Sequence, residues 1–340
     1  MSLTKIEWTQ RTWNPVRGCS AVSPGCKHCY AERIAARNFP GHRSPTTGEP
    51  FAIINGNGPH WTGKVELIPS MLDIPVKRKK PTTWFVNSMS DLFHEGLAEA
   101  DIDQVFARMA LCGQHTFQVL TKRPKKMAGY FNDIDYRAEM VGITAEQISG
   151  IDRFVCQGDD ISARWKFPLP NVWLGVSVED QQRADERIPL LLQTPAAIRF
   201  LSIEPLLGPV DLSAWLDPCS YYCEHDEWGG GHRPERSKID WVIVGGESGS
   251  GARPMHPDWV RTIRDQSINA GVPFFFKQWG VYGPSETART PLSNSRVFRS
   301  ERVHHGIGMT EPALMYHVGK KKAGRTLDGR TWDQMPGVSR

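Results

Sequence analysis

Short apolar, β-branched or aromatic runs recur along the chain, each closing on polar or glycine-rich residues and most followed by a stretch with helical spacing. The strands this predicts are TWFVNS (82–87), TFQVLT (116–121), NVWLGVSV (171–178), AIRFLSI (197–203), DWVIVGG (240–246) and VPFFFK (272–277), with WNPV (13–16) a further candidate. Helices are expected over 30–37, 100–112, 180–193 and 257–270. Strands that alternate with helices predict an α/β protein with a parallel sheet. Six or seven such units favour a full or partial (β/α) barrel, with an open doubly wound sheet as the other arrangement. Three connections are long for a compact domain, at 38–81, 132–170 and 281–340, and are expected to act as lids, substrate contacts or added modules. The predicted organisation is a barrel domain over 1–280, holding a cysteine loop at 18–32 and a Cys/His insertion at 216–236, with an extension over 281–340 packing on it.

Composition leaves this picture in place and narrows the chemistry. The 340 residues are 39% hydrophobic and 23% charged, enough apolar material for a real core. The N-terminal MSLTKIEWTQ has no apolar signal region, and no later run approaches the ~18 apolar residues of a membrane span. A cytoplasmic protein with no membrane partner is the expectation. A net charge of +4 does not by itself define a partner. Basic runs at Lys77–Lys80, Lys122–Lys126 and Lys320–Arg325 are either solvated surface or phosphate contacts. Among twelve tryptophans, Trp8, Trp13, Trp61, Trp279 and Trp332 sit in loop-like surroundings, where such rings either stack on bases or anchor loops to the core.

Seven cysteines in a reducing compartment, three of them within GCSAVSPGCKHCYAE, point to metal or redox chemistry rather than to a disulfide framework. Six residues separate Cys19 from Cys26 and two separate Cys26 from Cys29, with no fourth cysteine nearby. A structural zinc takes four ligands, and His28 is the available fourth; an iron–sulfur cube held by three thiolates keeps one iron open. A second candidate metal site, for zinc, is Cys219, Cys223, His225 and His232 in the insertion. Cys112 and Cys156 read as structural thiols. Just past predicted strands lie Glu179, Glu204 and Glu247, and past an earlier one Asn87, Ser88, Ser90 and Asp91. In parallel β/α folds this edge holds ligands. Helix capping is the competing role, with Asp180 placed as an N-cap.

The cysteine loop with an aromatic directly after it, Cys29-Tyr30, ahead of a series of β/α units resembles the radical S-adenosylmethionine superfamily. More specifically the chain resembles the phage and prophage three-Cys-motif family, through TWNPVRGCSAVSPGCKHCYAE, FVNSMSDLFHE, VWLGVSVED, RFLSIEPLLGPVDL, IDWVIVGGESGSGARPMHPDWVR, VPFFFKQWG and AGRTLDGRTWDQMP. The resemblance implies a radical-SAM-type barrel, a [4Fe–4S] cluster on Cys19, Cys26 and Cys29, and S-adenosylmethionine as cofactor. The superfamily's usual spacing is three then two, against six then two here. Gly245-Gly246-Glu247 is similar to its GGE cofactor motif but lies on a late strand, and Asn87 to Asp91 holds the more fitting position. The implied scheme has Asn87, Ser88, Gly245, Gly246 and Glu247 binding cofactor, with Glu179, Glu204, Asp91 and Lys277 catalytic. Lys122, Arg123 and Lys277 would meet anionic groups. Phage context implies a DNA or RNA substrate whose bases are modified or repaired, with a separate partner protein a further candidate. The competing class is a non-enzymatic nucleic-acid-binding or accessory protein whose metals are structural. A barrel enzyme using its carboxylates for acid/base or glycosidic chemistry is the third reading.

Overall fold

A computed structural model of the chain describes residues 4–37, 42–150, 166–216, 238–284 and 313–337, with the short strand segments 297–299, 304–305 and 308–309. Two compact units form, Met1–Val176 with Gln193–Ile198, and Ser177–Leu192 with Arg199–Arg340. The fold is mixed α/β, and its parallel strands follow chain order through both units, which agrees with the partial form of the expected barrel.

In the first unit, β1 (Arg11–Trp13) and β2 (Val16–Arg17) flank Asn14-Pro15, where one strand was expected. After the cysteine loop come α1 (Tyr30–Ala35), the hairpin β3 (Ala52–Asn55) and β4 (Gly58–Trp61), β5 (Glu66–Leu67) and α2 (Pro69–Leu72). The β-branched and aromatic runs then form β6 (Thr83–Val86), β7 (Thr116–Thr121) and β8 (Val172–Ser177). β1 pairs with β6 at Trp13↔Val86, β6 with β7 at Trp84↔Phe117, and β7 with β8 at Val119↔Leu174, all parallel. Every residue of β8 is buried, as befits a strand covered on both faces. Helix α3 (Glu99–Leu111) starts with Glu99 and Asp101 in its first turn, where they favour the helix dipole. It is followed by α4 (Pro124–Tyr130) and α5 (Ile134–Ser149). The connection 132–170, for which no long helix is among those expected, holds α5, which runs for 16 residues. Its Asp133 side chain caps the Tyr136 amide and Gly150 closes it at φ 68°.

In the second unit, α6 (Gln181–Gln193) precedes β9 (Ile198–Ile203), α7 (Ser213–Leu216), β10 (Trp241–Gly245), α8 (Pro257–Asn269), β11 (Phe274–Gln278) and β12 (Tyr282–Pro284). β10 is central, paired in parallel with β9 at Trp241↔Phe200 and with β11 at Val242↔Phe274. Pro257 at the first turn of α8 and His256 as its cap set that helix's start. The tail contributes β13 (Val297–Arg299), β14 (His304–His305), β15 (Gly308–Met309), β16 (Leu314–His317) and α9 (Lys320–Ala323). Its last residues run beside β11. The Phe276 amide donates to Trp332 O (2.9 Å), the Phe274 amide to Gln334 Oε1 (2.9 Å) and Trp241 Nε1 to Gln334 O (2.8 Å).

The five loop tryptophans settle one alternative. Trp8, Trp13, Trp61, Trp279 and Trp332 are all buried, and Trp13 Nε1 donates to Met71 O at 2.8 Å, so these rings anchor loops rather than offer stacking faces. No described helix is long and apolar enough to cross a membrane.

Candidate functional site

The cysteine loop leaves the C-terminal end of the β1–β2 segment and is held there by backbone. β2 pairs antiparallel with β5 at Val16↔Leu67, and Gly18 forms a parallel bridge with Ser90 just past β6. Gly18 adopts φ +88°, and a Cβ at this position would overlap the Lys64 carbonyl, so glycine is required twice over. A short 3-10 turn, Pro24–Cys26, then leads to Cys29, the cap residue of α1. Cys19, Cys26 and Cys29 are free thiols, each half-buried. Cys19 and Cys29 pack against an apolar cluster that includes Ala31, Ala35, Phe51, Trp61 and Ile68.

Burial pushes the Cys19 thiol up to about 12, helped by Asp91, opposed by Arg123, and raised further by Cys26 and Cys29. Burial also raises Cys29, while the Glu32 and Ala31 amides pull it back and Cys26 adds to the rise. Among the described residues no three or more His, Cys, Asp or Glu stand ready-arranged as a metal cage.

Beside this loop, the ends of β6 and β7 are joined through Asp91. Its Oδ1 accepts from Thr121 Oγ1 (2.7 Å) and the Phe93 amide (3.0 Å), and its Oδ2 from the Lys122 amide (3.0 Å) and Arg123 Nη1 (3.2 Å). Buried and accepting four hydrogen bonds, this carboxylate organises the edge. Asn87, at φ 59°, accepts from the Val16 amide through Oδ1 (3.3 Å), while Ser88 Oγ donates to Asn14 Oδ1 (3.1 Å) and Ser90 Oγ to Val16 O (2.8 Å). Within this unit Asn87, Ser88 and Ser90 thus bind the stem of the thiol loop, and Asp91 reaches the loop through Arg123. Sequence reasoning missed Ser20 and His94, whose Oγ and Nε2 lie 2.8 Å apart. Their signal was position alone: one follows the first cysteine, the other sits within the DLFHE that closes the β6 edge segment. Tyr30 is 48% exposed, with its hydroxyl donating to Ser88 O at 2.5 Å.

The strand-end carboxylates of the second unit each meet a cation of their own. Glu179, fully buried, pairs with Arg187 (Nη1 to Oε2, 3.2 Å), and Arg187 also donates to Ser177 O (2.8 Å). The next residue, Asp180, accepts from the Arg183 amide at 3.0 Å, as its expected capping role requires. Lys277 Nζ lies 2.8 Å from both oxygens of Glu204, which unites two residues expected to be catalytic. Glu247 takes three N–H donors from Arg253: the amide (2.8 Å), Nε (2.9 Å) and Nη2 (2.7 Å). The two glycines before it serve main-chain and side-chain crowding. A Cβ on Gly246 would overlap the Trp279 carbonyl, and one on Gly245 would press on Glu204 at 3.2 Å. Cys219, Cys223, His225 and His232 lie outside the described residues, as does Cys156.

Parallel strands with a thiol loop and polar side chains at their C-terminal edge define an α/β protein. The chain belongs to the family described as a protein of unknown function, DUF5131, whose model matches residues 3–336. No curated protein and no solved structure matches it.

Proposed function

We propose that the chain is a radical-SAM-type iron–sulfur enzyme in which Cys19, Cys26 and Cys29 hold a [4Fe–4S] cluster, acting on bases of DNA or RNA in a reducing, cytoplasmic setting. The observation that carries this reading is the donor set. Three free thiols share one half-buried loop, two of them against an apolar shell, and each neighbouring thiol makes ionisation of Cys19 harder. A bound cation relieves that conflict, since thiolates are the binding form. Three thiolates suit a cluster that keeps an open iron. When bound, such a cluster supplies the electron for reductive cleavage of S-adenosylmethionine.

The chain's own residues then have defined tasks. Asp91 fixes the turn that carries Lys122 and Arg123 to the loop. Asn87 and Ser88 hold the β1–β2 stem, and the apolar cluster packs behind Cys19 and Cys29. Exposed Lys125 and half-buried Lys122 offer positive charge to a nucleic-acid backbone on the same unit.

Anaerobic purification and reconstitution test the reading. The expected product is brown protein with about four irons per chain, as a cube requires. Its reduced electron paramagnetic resonance spectrum changes on adding S-adenosylmethionine. Joint replacement of the three cysteines by alanine is expected to abolish iron uptake. Colourless wild-type protein holding stoichiometric zinc, with no iron after reconstitution, would sink the enzyme reading in favour of a structural-metal binding protein.

A further inference from the structure

Arg123 is 5% exposed, and every nitrogen of its guanidinium has a partner. Nε donates to Glu95 Oε2 (2.7 Å), Nη1 to Asp91 Oδ2 (3.2 Å) and towards Cys19 Sγ (3.7 Å), and Nη2 to both Ser20 O (3.0 Å) and Ser20 Oγ (2.8 Å). One side chain from the end of β7 thus grips Cys19 and Ser20 of the thiol loop while Asp91 and Glu95 brace it. Five donors in a rigid fork make this possible, and an ammonium on a flexible stem does not reproduce it. His94 completes the grip. Its Nδ1 accepts from the Gly96 amide (3.0 Å), which assigns the proton to Nε2, so the ring donates to Ser20 Oγ. That tautomer also excludes His94 as a base for Ser20, so the pair is a tether and not a nucleophile with its activator.

The three sulfurs consequently differ in their surroundings. Cys26 Sγ lies 3.9 Å from Ser23 Oγ, and Cys29 faces the Ala31 and Glu32 amides, whereas Cys19 receives a charged donor tied to the strand ends. We propose that Arg123 is a positioning residue that clamps Cys19 to the ends of β6 and β7 and makes it the electron-poor sulfur of the three. The second half of this statement rests on the iron–sulfur reading, and the clamp itself does not. An N–H donor to a ligating sulfur draws charge from it and favours the reduced state of whatever metal group it holds.

The test uses the full chain with Arg123→Gln, Arg123→Lys and Ser20→Ala. In metal-free protein, hydrogen–deuterium exchange over residues 18–29 is expected to quicken about tenfold in both arginine variants, with α3 and β8 unchanged, because local opening then costs one clamp less. Ser20→Ala, which removes only the oxygen shared by Arg123 and His94, is expected to quicken the same segment about threefold, as the loss of a net hydrogen bond implies. It also serves as the probe if the arginine variants fail to fold. Loop exchange equal to wild type would overturn the clamp. In reconstituted protein of equal iron content, Arg123→Gln is expected to shift the cluster's reduction potential to more negative values, with Arg123→Lys between it and wild type. Identical potentials would overturn the tuning of Cys19. Wild-type protein that takes no iron would end the iron–sulfur reading while the exchange result still decides the clamp.

Discussion

Glu179 and Cys19 both follow a strand of the parallel sheet or its stem and both carry an ionisable group away from bulk water, but their neighbours treat them in opposite ways. Glu179 is met by Arg187, as Glu204 is by Lys277 and Glu247 by Arg253. The thiols crowd one another, and Arg123, the cation nearest Cys19, is already shared with Asp91 and Glu95. Against the burial that would lower it, Asp91, Cys19 and Glu95 hold the Arg123 pKa above its ordinary value. The lesson concerns where charge is balanced. The three strand-end carboxylates of the second unit each have a cation of their own and read as architecture, whereas among the described residues the loop of the first unit gathers three sulfurs around one charged donor, Arg123. A group balanced by its own chain has little left to give a ligand; a group left in excess invites one.

The largest effect that would break this contrast is on Glu179. Replacing it by alanine leaves Arg187 buried without its carboxylate, and the expected loss is about 3–5 kcal/mol in urea unfolding, the scale for breaking a buried pair. A loss near zero would mean that Arg187 finds water, and that Glu179 was free for other work. A smaller effect is expected at Asp328, which bonds Arg261 and Arg264. Burial alone would raise its pKa, but the two arginines outweigh it and hold the carboxyl low. Asp328→Asn should therefore cost about 1 kcal/mol or less at neutral pH, given solvent screening. The sign follows from linkage: the contribution is full above the unfolded-state pKa and disappears as pH falls through the lower folded value, so wild type and variant should converge in acid. Unfolding curves that stay parallel down to pH ~2 would contradict this. The smallest effect is expected at Cys26 in metal-free protein. Half-buried and outside the core, its change to alanine should move stability by no more than about 0.5 kcal/mol. A thiol that proved essential to the metal-free fold would be architecture after all, and the contrast would fail.

Much of the scaffold was legible because the strands are apolar runs with sharp ends. TFQVLT at 116–121 coincides with β7, and the other main strands differ from expectation by at most two residues at either end. α5 was underestimated because its buried residues are scattered among charged and small ones, so the apolar stripe is weak; Asp133 and Gly150 marked its ends more clearly than its middle marked its course. The hairpin of β3 and β4 was invisible for another reason: Ile53 and Ile54 are exposed, at 42% and 69%, while Ala52 and Trp61 face inward, so its hydrophobic pattern does not report its burial. At the site, the thiols and Asp91 were legible as residue types at strand ends. Lys277 and Arg123 were legible as cations for anionic groups, but which residue each would meet was not. Arg187 is eight residues from Glu179, Lys277 is seventy-three from Glu204, and Arg123 meets Cys19 from a hundred and four positions away, separations that only the fold closes. Gly245-Gly246-Glu247 shows the converse hazard, since its glycines are demanded by Glu204 and by the Trp279 carbonyl whether or not any ligand comes near.

Gly18 has a consequence for transplantation. Because the Lys64 carbonyl occupies the space a side chain there would need, and β5 pairs with the segment just before it, the thiol loop is not a portable cassette. A peptide of residues 18–32 grafted onto another scaffold would carry the ligands without the wall that shapes their entry. The smallest transferable piece is discontinuous, the stem and loop together with Lys64 to Leu67, and a deletion that shortens the connection between α1 and β5 would be felt first as a change in how the sulfurs are presented.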